Sequence, residues 1–160
     1  MHIPSDIALW LQRNLSVLCE DDLSLAYVSS GIIASVPDRT EARWQLSVDM
    51  LYRLINCELI SVLNFEGCTD IPSFLNEIRS HGPDFDNQGA LAWMAMQVYG
   101  TDNLEVLMKS HFGELSQAWD ALNSTFMEAL ERIFAENGVP WSDKPLLPIM
   151  PAGAEASAPR

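Results

Sequence analysis

The chain has 160 residues, 48% of them hydrophobic, and carries 22 acids against nine bases for a net charge of −13. That apolar content excludes wholesale disorder. So negative a charge argues against nucleic acid and anionic membranes as partners, and favours solubility and basic protein surfaces.

No run approaches 18 apolar residues, so no membrane-spanning helix is expected. The opening MHIPSDIALWLQRN has neither a basic leader nor an unbroken apolar core, so no export signal is expected. Cys19, Cys57 and Cys68 are odd in number and lack CxxC spacing. They read as buried structural thiols, and a cytoplasmic location follows.

Along the chain the apolar spacing is helical. Ile7, Trp10, Leu11, Leu15 and Leu18 share one face of a first helix, with Ser5 as its expected cap. Leu25, Val28, Ile32 and Val36 predict a second helix that contains Gly31. Asp38 and Glu41 resemble a capping box before a third, whose stripe is Trp44, Val48, Leu51 and Ile55. The segment CELISVLNF permits one short strand near residues 59–65, since Leu59, Ser61 and Leu63 alternate. Thr69 or Asp70 caps a fourth helix, with Pro72 in its first turn and Phe74, Leu75 and Ile78 facing inward. His81-Gly82-Pro83 ends it.

The stretch GPDFDNQGALAWMAMQVYG predicts a fifth helix running to Tyr99, with Leu91, Met94, Val98 and Tyr99 as its stripe. Trp93 and Met96 fall on other sides, so this helix reads as central and buried. Thr101 caps a short sixth helix. One long last helix is expected through Leu115, Trp119, Leu122, Phe126, Leu130 and Ile133, stopped by Asn137-Gly138 and Pro140. The sum is an all-α, single-domain bundle of six or seven helices. It comprises a helical domain at 1–138, an extended arm at 139–150 packed on it through Trp141, Leu146, Leu147 and Ile149, and a flexible tail at 151–160.

No nucleotide-binding, hydrolase, zinc-protease or EF-hand motif is present. His2, His81 and His111 are isolated in sequence. His81 and His111 sit at expected helix ends, where a cation suits the dipole. Asp84 and Asp86 suit a helix N-terminus better than a calcium loop, which would need a DxDxDG order and a closing glutamate. No catalytic residue, metal or cofactor is expected.

The acid is unevenly spread. Between Glu58 and Met108 stand eight acids and one base, Arg79, so this third carries −7 of the −13. Solubility alone does not require such crowding, because close like charges destabilise a fold. Glu66, Asp70, Asp84, Asp86, Asp102 and Glu105 are therefore the candidate partner-binding residues. Several of them start helices, and clustered starts would form an acidic rim that steers a basic partner.

The segment Trp44–Ile60, WQLSVDMLYRLINCELI, resembles immunity proteins of bacterial contact-dependent growth inhibition and related polymorphic-toxin systems. The shared features are a Trp, an apolar helix, LxxLI and then LI. That family often has Gly where this chain has Glu58. The resemblance implies a small cytoplasmic protein that is not an enzyme and that neutralises a basic toxin domain, often a nuclease. The alternative is a helical adaptor that binds an apolar segment through Trp93, Met94 and Met96 or through the Leu146–Met150 arm.

Overall fold

The computed structural model describes residues 1–63 and 67–152. The chain is mostly helical. In order come α1 (Ser5–Leu18), β1 (Leu23–Ser24), α2 (Leu25–Ser29), α3 (Glu41–Asn56), β2 (Ile60–Leu63), α4 (Ile71–Ser80), α5 (Asn87–Ala95), β3 (Gln97–Gly100), α6 (Asp102–His111), a 3-10 turn (Leu115–Trp119) and α7 (Ser124–Glu136). No helix among the described residues is long and apolar enough to cross a membrane.

The fold is not strictly all-α. Three short strands form an antiparallel sheet in the order β1-β3-β2, with Leu23 opposite Val98 and Val62 opposite Val98 on the other side. The strand expected near 59–65 is β2, but its phase is reversed: Ile60 and Val62 point into the core while Ser61 and Leu63 point out. Residues 64–66 lie outside the described residues.

The central strand β3 comes from the segment expected to be a buried helix. α5 ends at Ala95, and Val98 and Tyr99 belong to β3. The buried side of α5 is also not the expected one. Trp93 is fully buried, whereas Leu91 and Met94 are 71% and 70% exposed. Nine residues give only two and a half turns, so apolar residues on every side did not require a central position. Asp86 caps α5 by accepting from the Gly89 N–H. The α5 start also packs tightly on the preceding loop: a Cβ on Gly89 would collide with the Gly82 carbonyl oxygen.

Two further expected helices are interrupted. α2 stops at Ser29, because Gly31 turns with φ +101° and Ile32 is left 96% exposed. Arg43, itself buried, holds the loop that follows. Its guanidinium donates to the carbonyls of Ser29, Gly31 and Val36 at 2.6–3.0 Å. The long final helix is split between the 3-10 turn and α7. Buried Gln12 of α1 fastens the break by donating to the Ala118 and Ala121 carbonyls and accepting from the Asn123 N–H. Asn123 then caps α7 through the Phe126 N–H.

The caps differ from expectation in detail. Thr40, not Asp38, caps α3, and Pro4 precedes α1 without a side-chain cap. Asp70 caps α4 and Thr101 caps α6. The core runs through all layers, from Leu11 and Leu15 through Val48 and Leu51 to Phe74, Phe126 and Phe134. Of the thiols, Cys57 is buried while Cys19 and Cys68 are half-buried.

The chain after α7 crosses α3 and α4 in extended form. Arg53, 1% exposed, donates to the Val139 and Pro140 carbonyls and lies 5.2 Å from the Trp141 ring. Asp49 Oδ1 accepts from the Leu146 and Leu147 N–H groups at 3.1 and 2.9 Å. Gln45 bonds Leu147 and Ile149, and Arg79 bonds Pro148 and Met150. Of the tail, residues 153–160 lie outside the described residues.

Candidate partner-binding site

The solvent face of the sheet presents Ser61 and Tyr99, which are register partners. The start of α4 and the start of α6 flank this face, and together they bound an open concavity of about 560 Å³. Its lining includes Glu58, Ser61, Ile71, Tyr99, Asp102 and Asn103. Glu58 and Asp102 are the charged residues in that lining, and no base lines it. Asp70, the cap of α4, adjoins it through Ile71.

The local architecture explains this placement. α3 ends with Glu58 in the left-handed region, φ +54°. The Glu58 N–H bonds the Ile55 carbonyl, and the Leu59 N–H bonds the Leu54 carbonyl. This is the C-terminal motif that usually takes glycine. Thr101 ties the α6 start to the same turn. Its hydroxyl donates to the Glu58 carbonyl at 2.5 Å and its N–H donates to the Leu59 carbonyl at 3.0 Å. The Asn103 amide adds a 3.4 Å bond to the Glu58 carbonyl. The backbone therefore fixes Glu58 and Asp102 side by side. The Asp70 carboxyl is held below the usual carboxylate range by the Ser73 N–H and hydroxyl, so it stays ionised into mild acid.

The six expected residues do not form one rim. Of the six, Asp102 lines this concavity, and Asp70 precedes the lining residue Ile71 while its carboxylate caps α4 on the Ser73 N–H. Glu105 stands one turn along α6 from Asp102 and pairs with Lys109. Asp86 is spent on the α5 cap and on His81, 3.3 Å away. Asp84 lines a separate cleft of about 260 Å³ that also contains Arg39. Glu66 lies outside the described residues. Glu58 was missed; its signal was an acid at a helix stop where glycine is usual.

The other chemically active side chains are tied up locally. His2 bonds Glu131, and His111 bonds the Leu107 carbonyl and Ser110 while meeting Phe126 edge-on. Burial pushes the Cys19 and Cys57 thiols up to about 11, away from the thiolate a nucleophile needs. Among the described residues, no group of three or more His, Cys, Asp or Glu is arranged to hold a metal ion.

Of the residues named for an adaptor groove, Trp93 and Met96 are fully buried, with the Trp93 N–H bonded to the His81 carbonyl, while Met94 is exposed and lines the cleft that holds Asp84. The Leu146–Met150 segment lies against α3 and α4. A different groove exists elsewhere on the surface. It runs along α1 and is walled by Tyr27, Ile32 and Trp119.

No known protein family, no curated protein and no solved structure matches the chain.

Proposed function

We propose that this protein is an acidic inhibitor of the immunity type, which binds and neutralises a basic protein toxin domain in the cytoplasm and is not itself an enzyme. The observation that carries the reading is the concavity lined by Glu58 and Asp102 and free of basic lining residues, with Asp70 next in sequence to its lining residue Ile71. Such a surface accepts a lysine or arginine from the partner. The net charge of −13 speeds the encounter by long-range attraction. The resemblance of Trp44–Ile60 to immunity proteins supports the toxin as that partner, and a nuclease has the basic surface required.

Enrichment from the native host tests this reading. The tagged protein is used as bait, the beads are washed at low and high salt, and retained proteins are identified by mass spectrometry. A near-stoichiometric basic protein held at low salt and released at high salt is expected. Retention of neutral proteins indifferent to salt would sink the proposal, because exposed charge pairs weaken as salt screens them.

A further inference from the structure

The groove along α1 has a composition unlike the rest of the surface. Its floor is one face of the helix, from Asp6 through Leu9, Trp10 and Arg13 to Val17, about 16 Å at 1.5 Å per residue. One wall is Tyr27 and the loop at Ile32, and the other is Trp119. Tyr27, Ile32 and Trp119 are 50%, 96% and 46% exposed, so the chain leaves this apolar surface in water. The enclosed volume is about 370 Å³, within the roughly 300–1,000 Å³ typical of small-molecule sites.

Two charged residues line the groove, and they differ in how they are satisfied. Asp6 is already committed: its carboxylate accepts from the Ile7 and Ser35 N–H groups. Arg13 is not. Its Nη2 donates to the Trp119 carbonyl at 3.0 Å and its guanidinium lies 5.4 Å from the centre of the Trp119 ring. Its Nε is buried with no acceptor, and no carboxylate among the described residues lies within salt-bridge distance of it. The stack and the carbonyl hold the guanidinium in place at the groove, so little rotamer freedom remains to be lost on binding.

From this lone cation in an aromatic groove we infer that the α1 groove is a binding site for a small apolar carboxylate, an aryl- or alkyl-carboxylic acid. The apolar body lies along Trp10, Val17 and Tyr27, and the carboxylate meets the guanidinium of Arg13. One arginine matches one negative charge. A doubly charged phosphate would need a further cation, and none lines the groove. Asp6, the acid in the same lining, stands seven residues from Arg13, about 10 Å along α1 at 1.5 Å per residue. That is beyond the screening length of about 8 Å at 0.15 M salt, so it opposes a carboxylate placed at Arg13 less than Arg13 attracts it. This site is independent of the acidic concavity.

Calorimetric titration of the full chain with 1-naphthaleneacetate and with its neutral counterpart 1-naphthaleneethanol tests the inference without any variant. The acid is expected to bind roughly tenfold or more tightly than the alcohol, the range for a hydrogen bond to a charged group. In the Arg13→Met variant, which removes the charge but keeps an unbranched apolar side chain, that preference is expected to vanish while alcohol binding persists. Equal affinity for acid and alcohol, or an unchanged preference in Arg13→Met, would overturn the inference. So would failure of both compounds to bind. Self-association in sedimentation velocity, abolished by Ile32→Asn, would instead assign the groove to a second copy of the chain.

Discussion

Arg53 and Arg13 make the same pairing with different completion. Each guanidinium lies just over 5 Å from a tryptophan ring, Trp141 for one and Trp119 for the other. Around Arg53 the chain closes over: the segment after α7 supplies carbonyl acceptors, and Asp49 and Gln45 fasten the rest of it. Around Arg13 one carbonyl is supplied and the groove stays open. A buried arginine surrounded by its own chain's acceptors is structural, and one left half-satisfied in an apolar groove is available to a ligand. The same contrast applies to the acids. Asp49 is consumed by backbone N–H groups, whereas Glu58 and Asp102 face an open concavity.

Unfolding in urea should separate the two arginines first. Arg53→Ala strands buried carbonyls and loosens the arm, so a loss of about 3 kcal/mol is expected. Arg13→Met should cost under about 1 kcal/mol, the usual size for a partly exposed site. Equal losses would break the comparison.

Asp49 comes next. Asp49→Ala removes the shared acceptor of Leu146 and Leu147 and should cost about 2 kcal/mol. Asp49→Asn keeps an acceptor oxygen and should cost much less. Burial is the main cause that raises the Asp49 pKa, against the opposing Leu147 N–H, Arg53 and Leu146 N–H. A raised folded-state value means that the native state holds this proton more readily than the unfolded chain. The contribution is therefore fully present below the ordinary value near 3.8 and is lost as pH rises through the folded value. The difference in urea midpoint between native and Asp49→Asn should shift toward the variant over that rise, and a difference that is flat with pH would contradict it.

Asp6, which is half-buried, behaves in the opposite sense. Hydrogen bonds from the Ser35 hydroxyl and N–H and from the Ile7 N–H lower its pKa. Its contribution is present above about 3.8 and is lost as pH falls through the folded value. Protection of the Ser35 amide, taken relative to its intrinsic exchange rate at each pH, should fall in acid and in Asp6→Ala at neutral pH, with a global loss under about 1 kcal/mol. Unchanged exchange would show that the contact does not hold the loop.

The smallest effect has an unusual sign. Glu58→Gly relieves a left-handed non-glycine residue and should leave stability unchanged or raise it by up to about 1 kcal/mol. The same change removes a carboxylate from the concavity and should slow partner association. A variant that loses stability and binds as before would reverse both halves of the account.

The helices with one clear apolar stripe and a strong stop were legible in the sequence. α1, α3 and α4 bury the expected Leu11, Leu15, Trp44, Val48, Phe74 and Ile78, because 3.6-residue spacing over three or four turns is hard to mimic. Of the sheet, β2 was legible as the strand expected near 59–65, whereas β1 and β3, of two and four residues, were too short to show. β3 also follows α5 without a polar break, so MAMQVYG read as one apolar helix. The split of the last helix rests on Gln12, over a hundred residues away, and no local pattern announces it. Charge counting found the acidic third, but it could not assign which acids cap helices, as Asp86 does, and which remain free, as Asp102 does. Glu58 escaped because its position depends on a backbone angle.

The most direct test of the central claim is the association rate between this protein and the basic partner recovered from its host, measured by stopped flow across a salt series. The native chain is compared with the triple variant Glu58→Gln, Asp70→Asn, Asp102→Asn. Asparagine caps a helix about as well as aspartate, so the change at position 70 removes charge while keeping the α4 cap. The account predicts fast association that slows steeply with salt in the native chain, and a rate reduced about tenfold and less sensitive to salt in the variant. Equal rates and equal salt dependence would contradict it and remove the concavity from the binding surface.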